Sequence, residues 1–205
     1  MKADSEELGL KDRLSLIENM IAEGRRGTES WGWTFVLWGV AYYIAIAWST
    51  WGFGWSIWGH TALAWPVTMI SASVLTVVLA TRKRGRQPST TIGRAISALW
   101  ITMGISMFIL LFSLALSGKY DQQLFVAVIA AMLGTTNAAS SMILKWSVQF
   151  ACAVVWWLAA VASCFGTVTQ SSIVFLVAIF ICQIVFGSYA MFCEARRNKQ
   201  GASHA

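Results

Sequence analysis

The chain has 205 residues, of which 57% are hydrophobic and 12% charged, with a mean hydropathy of +0.63, 12 tryptophans and a formal net charge of +6. Soluble domains carry about 25% charged residues, so this composition leaves too little polar surface for a water-soluble globule. The cations cluster in short segments that flank apolar runs, a pattern of membrane topology, and the reading includes no nucleic-acid partner.

Residues 1–30 are predicted to be a cytoplasmic amphipathic segment. Asp4 can cap a helix with Glu7 at N3, and Leu10, Leu14, Ile17 and Ile21 follow a 4-3-4 spacing that makes one apolar stripe beside Met20. Gly24 and Gly27 predict the stop, with Arg25 and Arg26 suited to the negative end of the helix dipole. Between Asp4 and Glu23 there are six acids against Lys11 and Arg13. Such a helix is repelled by an anionic leaflet, so its stripe is expected against protein: the bundle's own face, a second copy or another subunit. The first 30 residues hold seven acids, the reverse of a basic signal-peptide start, so the first apolar run is expected to act as its own insertion signal.

The membrane domain is predicted over 31–193, with spans at about 31–51, 61–81, 92–116, 124–144, 147–166 and 172–193. Each is close to the ~20 residues that one crossing requires. Trp31 and Trp33 mark one interface of the first span and Trp48 and Trp51 the other. Arg82-Lys83-Arg84-Gly85-Arg86 follows the second span. Pro88 then precedes Ser89-Thr90-Thr91, which can cap the third. Lys145 and Trp146 form a short turn, and residues 194–205 are a basic cytoplasmic tail. Fourteen of the fifteen cations fall on one side of this arrangement, leaving Lys119 opposite. The asymmetry orients both termini to the cytoplasm. The fold class is therefore all-α: a polytopic six-helix transmembrane bundle behind an N-terminal amphipathic helix. Leu37-Trp38, Leu99-Trp100 and Val155-Trp156 recur in the odd-numbered spans, which admits a weak repeat of three helical hairpins.

Leu16-Ile17-Glu18, Leu37-Trp38-Gly39, Trp65-Pro66, Leu99-Trp100 and Gly104-Ile105-Ser106 together resemble a group of small bacterial six-span inner-membrane proteins without an established activity. The resemblance implies a bacterial plasma-membrane location and six spans. It carries over no active-site residues.

Chemistry needs convergent titratable groups, and no Asp, Glu, Lys or His lies well inside a predicted span. Such residues usually mark proton and ion pathways. Neither a catalytic residue, a cofactor nor a metal site is expected. His60 and His204 are too far apart in the topology to hold a haem together. Met103 and Met107 offer thioethers one turn apart, a set that suits Cu(I), but the sequence has no outer Met- or His-rich capture site. Cys152, Cys164, Cys182 and Cys193 read as small packing residues rather than a disulfide framework.

Four groups of residues remain as candidates. Asn137 and Gln183, at depths of about 10 and about 15 Å, are the intramembrane amides; a small tilt lets them meet in an interhelical hydrogen bond or a ligand contact. Ala127, Ala130, Ala131, Gly134 and Ala138 form small-residue rows that permit close helix approach, at the bundle centre or a homodimer seam. Arg82, Lys83, Arg84 and Arg86 anchor the topology and face either the acidic N-terminal helix or anionic lipid. Trp51, Trp55, Trp58 and His60 can form an outer aromatic groove. Membrane lipids, a second copy or another protein are the partners this implies. The reading is a non-enzymatic protein acting through contacts, with a transporter or channel for a small neutral or lipophilic solute as the alternative.

Overall fold

The computed structural model describes residues 2–51, 64–83, 91–118 and 121–202, and every regular element among them is helical. They are α1 (Lys2–Ser30), α2 (Gly32–Trp51), α3 (Ala64–Lys83), α4 (Thr91–Ser117), α5 (Gln122–Leu144), α6 (Ser147–Phe165), α7 (Val168–Ile179) and α8 (Phe186–Ala202). A π-helical segment, Phe180–Val185, joins α7 to α8 without a break in the rod. Six stretches are long and apolar enough to cross a bilayer. The chain is an integral, multi-pass membrane protein with a six-helix bundle, because only a helix satisfies its own backbone donors and acceptors in hydrocarbon.

Helix ends follow local chemistry. The Asp121 side chain accepts from the Leu124 amide at the start of α5, and Thr167 and Gln170 form a reciprocal capping box at the start of α7. Lys145 closes α5 in the left-handed conformation (φ 49°), its amide donating to Ser141 O. Trp146 N–H donates to the same carbonyl at 2.9 Å, which folds α6 tightly back on α5.

The α5–α6 pair is the centre of the bundle. Gly134 allows it: a Cβ there would lie 2.6 Å from the Trp157 Nε1. α6 also packs on α7, α2 holds both α3 and α8, and α4 leans on α5 and α1. Gly32 and Gly187 bring α2 and α8 into backbone contact, with a Cβ on Gly32 falling 2.9 Å from Gly187 O. Aromatic rings then fill the interior. Trp156 meets Phe175 (5.7 Å between centroids), Phe175 meets Tyr42 (6.2 Å), and Tyr42 meets Trp65 (6.1 Å). Phe35 stands edge-on to both Trp100 and Phe186, each at 5.2 Å.

The expected stop of α1 at Gly24 and Gly27 is wrong, since the helix continues to Ser30. Gly24 is instead a point of close packing, where a Cβ would sit 2.5 Å from Ile92 Cγ2 and 3.2 Å from Leu144 Cδ2. Residues Gly24, Thr28 and Glu29 are buried, whereas Leu14, Leu16 and Ile17 are exposed. Among the described residues of α1, the buried ones lie in its last turns. The predicted cap at Asp4 and Glu7 and the stripe residue Leu10 have side chains outside the described set.

Candidate functional site

The start of α4, the α5–α6 turn, the end of α8 and the last turns of α1 meet at one end of the bundle, where most of the described cations gather. Glu29 organises the meeting. Its carboxylate is 4% exposed, accepts from Arg25 Nε at 3.3 Å within α1, and pairs with the guanidinium of Arg197 on α8. Arg25 also lies over the Trp146 ring at 5.2 Å, and Trp146 in turn packs on Phe186 at 5.1 Å. One carboxylate thus joins α1 to α8, and one guanidinium joins α1 to the α5–α6 turn.

A cleft of about 460 Å³ opens beside this junction. Arg25, Arg26, Lys145 and Arg197 line it, opposed by Glu18 and Glu29; Ile21, Ala22 and Leu144 supply its apolar wall. Four cations against two carboxylates leave an excess of two positive charges. Among the described residues, neither Arg26 nor Lys145 has an ion-pair partner. Burial first, and then the proximity of Arg26 and Arg25, pulls the Arg197 pKa below its usual value. Arg197 lies beyond the apolar part of its helix, so the crowding belongs to the interface rather than to the hydrocarbon.

One turn deeper lies a polar layer. Gln149 is fully buried with both amide atoms unpartnered, and Ser140 Oγ and Trp146 Nε1 are likewise buried without a hydrogen bond. The antiparallel register that runs from Ser141–Trp146 to Gly134–Trp157 places Ser140, Ser141 and Gln149 at one level of the α5–α6 interface. Ser141 Oγ donates to Ala138 O at 2.7 Å. An unpartnered buried amide is destabilising by about 1–3 kcal/mol, so this layer is held in place by the packing around it.

The two amides singled out from the sequence do not meet. Asn137 Nδ2 donates to Leu133 O on its own helix at 2.9 Å, and its Oδ1 is unpartnered. Gln183 is buried in the π-helical segment, its Cβ directed at Gly39 of α2, and its Oε1 is unpartnered too. Cys182, next to Gln183, donates its thiol to Cys152 O on α6 at 3.5 Å. The expected Asn137–Gln183 hydrogen bond is therefore corrected to two separate polar positions, each with its side-chain oxygen unpartnered. Gln149 is a third intramembrane amide. It sits in the first turn of α6 and was not singled out from the sequence.

Of the small-residue rows, Ala127, Ala130, Gly134 and Ala138 are buried and Ala131 is half-buried. Arg82 is exposed near the end of α3, and Lys83 is that helix's last residue. Arg84 and Arg86 lie outside the described residues, as do Trp55, Trp58 and His60; Trp51 ends α2. The cleft itself had no signature in the sequence, because it draws on α1, the α5–α6 turn and α8. The recurrence of acid and base at Arg25, Glu29 and Arg197 was its one available trace.

Comparison of the chain with protein-family models, with curated proteins and with solved structures finds no match.

Proposed function

We propose that this protein acts by contact. It is a bacterial plasma-membrane bundle with both termini cytoplasmic, serving as an accessory or regulatory subunit that presents α1 to a protein partner and catalyses no reaction. One observation carries the reading. The last turns of α1 are fixed to the bundle through Gly24, Glu29 and Arg197, while Leu14 and Ile17, each 53% exposed, project beyond it with no cover among the described residues.

Direction supports a distinct partner over a second copy. At 100° per residue, Leu14, Ile17 and Ile21 share the face of Gly24 and Thr28, so the stripe overhangs the space beneath α4 and α5. Face-to-face pairing of two α1 helices about a twofold axis normal to the membrane would bring both bundles onto that axis. A cytoplasmic segment of another protein fits beneath the bundle without that collision. The acidic balance of α1 favours an apolar face with a basic rim on the partner, and the one-sided cations support the cytoplasmic orientation.

Native mass spectrometry of the protein released gently from its own membrane tests this. A stoichiometric protein partner, lost in a Leu14→Asp/Ile17→Asp variant, supports the reading. A monomer carrying a well-occupied small solute overturns it in favour of transport. That second reading has its own support in the unpartnered Gln149 amide, which a permeating polar solute or water could satisfy. Under it, Gln149→Leu abolishes solute occupancy.

A further inference from the structure

The excess charge at the α1–α5–α8 junction is arranged like a binding site. We infer that the cleft lined by Arg26, Lys145, Arg25 and Arg197 binds a phosphate-bearing anion at the membrane interface. Three observations support it. The four cations converge on one concave space from three elements distant in sequence, so the cluster is a product of the fold and not of a single basic run. Two of them, Arg25 and Arg197, are already engaged by Glu29 and hold the walls in place. Arg26 and Lys145 are left without ion-pair partners on the same opening.

Lys145 adds a fourth. It occupies the left-handed region (φ 49°) at a helix C-terminus, where glycine or asparagine is the low-strain residue. A lysine there adds a cation to the cleft lining that also includes Arg26, while its amide caps α5. Phosphate suits this set: guanidinium groups can bond it in pairs of N–H donors, and an ammonium adds a point charge. The apolar wall of Ile21, Ala22 and Leu144 gives room for the glycerol and upper acyl carbons of a lipid. A soluble phosphate would use the cations alone.

The inference goes beyond the contact reading and can fail separately from it. The test uses the full chain in nanodiscs of phosphatidylcholine containing a minor fraction of phosphatidylglycerol, with retained lipid read by native mass spectrometry. Parallel phosphatidylcholine nanodiscs are titrated with inorganic phosphate, followed by the thermal midpoint and ³¹P NMR. Selective retention of about one phosphatidylglycerol per chain supports a lipid headgroup, and saturable phosphate binding in pure phosphatidylcholine supports a soluble phosphate. In either case Arg26→Gln/Lys145→Gln should weaken binding at least about tenfold. Arg94→Gln removes a cation from the start of α4, outside the cleft, and should leave binding unchanged. Neither Arg26 nor Lys145 is ion-paired with Glu29 among the described residues, so the double variant is expected to fold, which its thermal midpoint without ligand checks. Equal retention of both lipids with no phosphate effect overturns the inference, and so does an Arg26→Gln/Lys145→Gln variant that binds like the parent. If α1 still captures its partner while the cleft binds nothing, the contact reading stands and only the anion site is withdrawn.

Discussion

Helices α4 and α5 are neighbours of similar length, yet 6% of the apolar window of α4 is buried against 67% for α5. The more apolar of the two is the one on the outside. α4 turns Ile101, Ile105, Phe108, Ile109 and Phe112 outward, while α5 buries Thr136, Asn137, Ser140 and Ser141 among its alanines. In water this would be inverted, because burial there follows hydrophobicity. Lipid is as apolar as leucine, so hydrophobicity gives no preference between lipid and a neighbouring helix. Close packing of small residues and polar contacts decide instead. The difference between the two helices is that rule at work in one molecule.

Substitutions matched across the two helices and the partner each packs on would break or sharpen the comparison. Trp156→Ala empties a fully buried site on α6, where the ring meets Phe175 of α7, and should destabilise the bundle by about 3–5 kcal/mol. Phe112→Ala, on the exposed face of α4, should stay within about 0.5 kcal/mol in a denaturant titration of the protein in mild detergent. Equal losses would show that α4 is covered by protein. Next comes glycine against glycine. Gly134→Leu drives a side chain into Trp157 and should be destabilising by about 1–3 kcal/mol. Gly104→Leu on α4 meets nothing within 4 Å and should leave the unfolding midpoint level or slightly higher.

The attachment of α1 should respond on a smaller scale. Glu29→Gln removes the charge shared by Arg25 and Arg197, whose side chains are 43% and 39% exposed, so solvent already screens much of the interaction. We expect faster hydrogen exchange across residues 24–30 with the α5–α6 hairpin unaffected. Faster exchange in both would mean that α1 is integral to the core. Smallest of all, Gln149→Leu replaces an amide without partners by an apolar group of similar size. It should be neutral or slightly stabilising, and a clear loss of stability would reveal hydrogen bonds made to water or solute.

The spans were legible because about 20 apolar residues bounded by charge have one physical solution in a bilayer. Ser147–Phe165 and Gln122–Leu144 lie within two residues of their predicted limits. What the sequence could not resolve were places where one residue type serves two purposes. Gly24 reads as a helix stop but is a packing surface for Ile92 and Leu144. Gln149, in the first turn of α6, was passed over among the intramembrane amides, but it follows the tight Lys145–Trp146 turn and is fully buried. The π-helical segment at Phe180–Val185 has no local sequence cue, and it carries Gln183. The Glu29–Arg197 pair spans most of the chain, so no local pattern could join its halves.

Photo-cross-linking from two positions on the protein in its native membrane addresses the contact account most directly. Ile17 and Phe112 are exposed to a similar degree, 53% and 58%. One belongs to a docking helix in this account and the other to a lipid-facing one. A benzophenone side chain at Ile17 should give a protein adduct of one discrete mass, and the same group at Phe112 should give lipid adducts. A protein adduct at Phe112 with none at Ile17 would contradict the account.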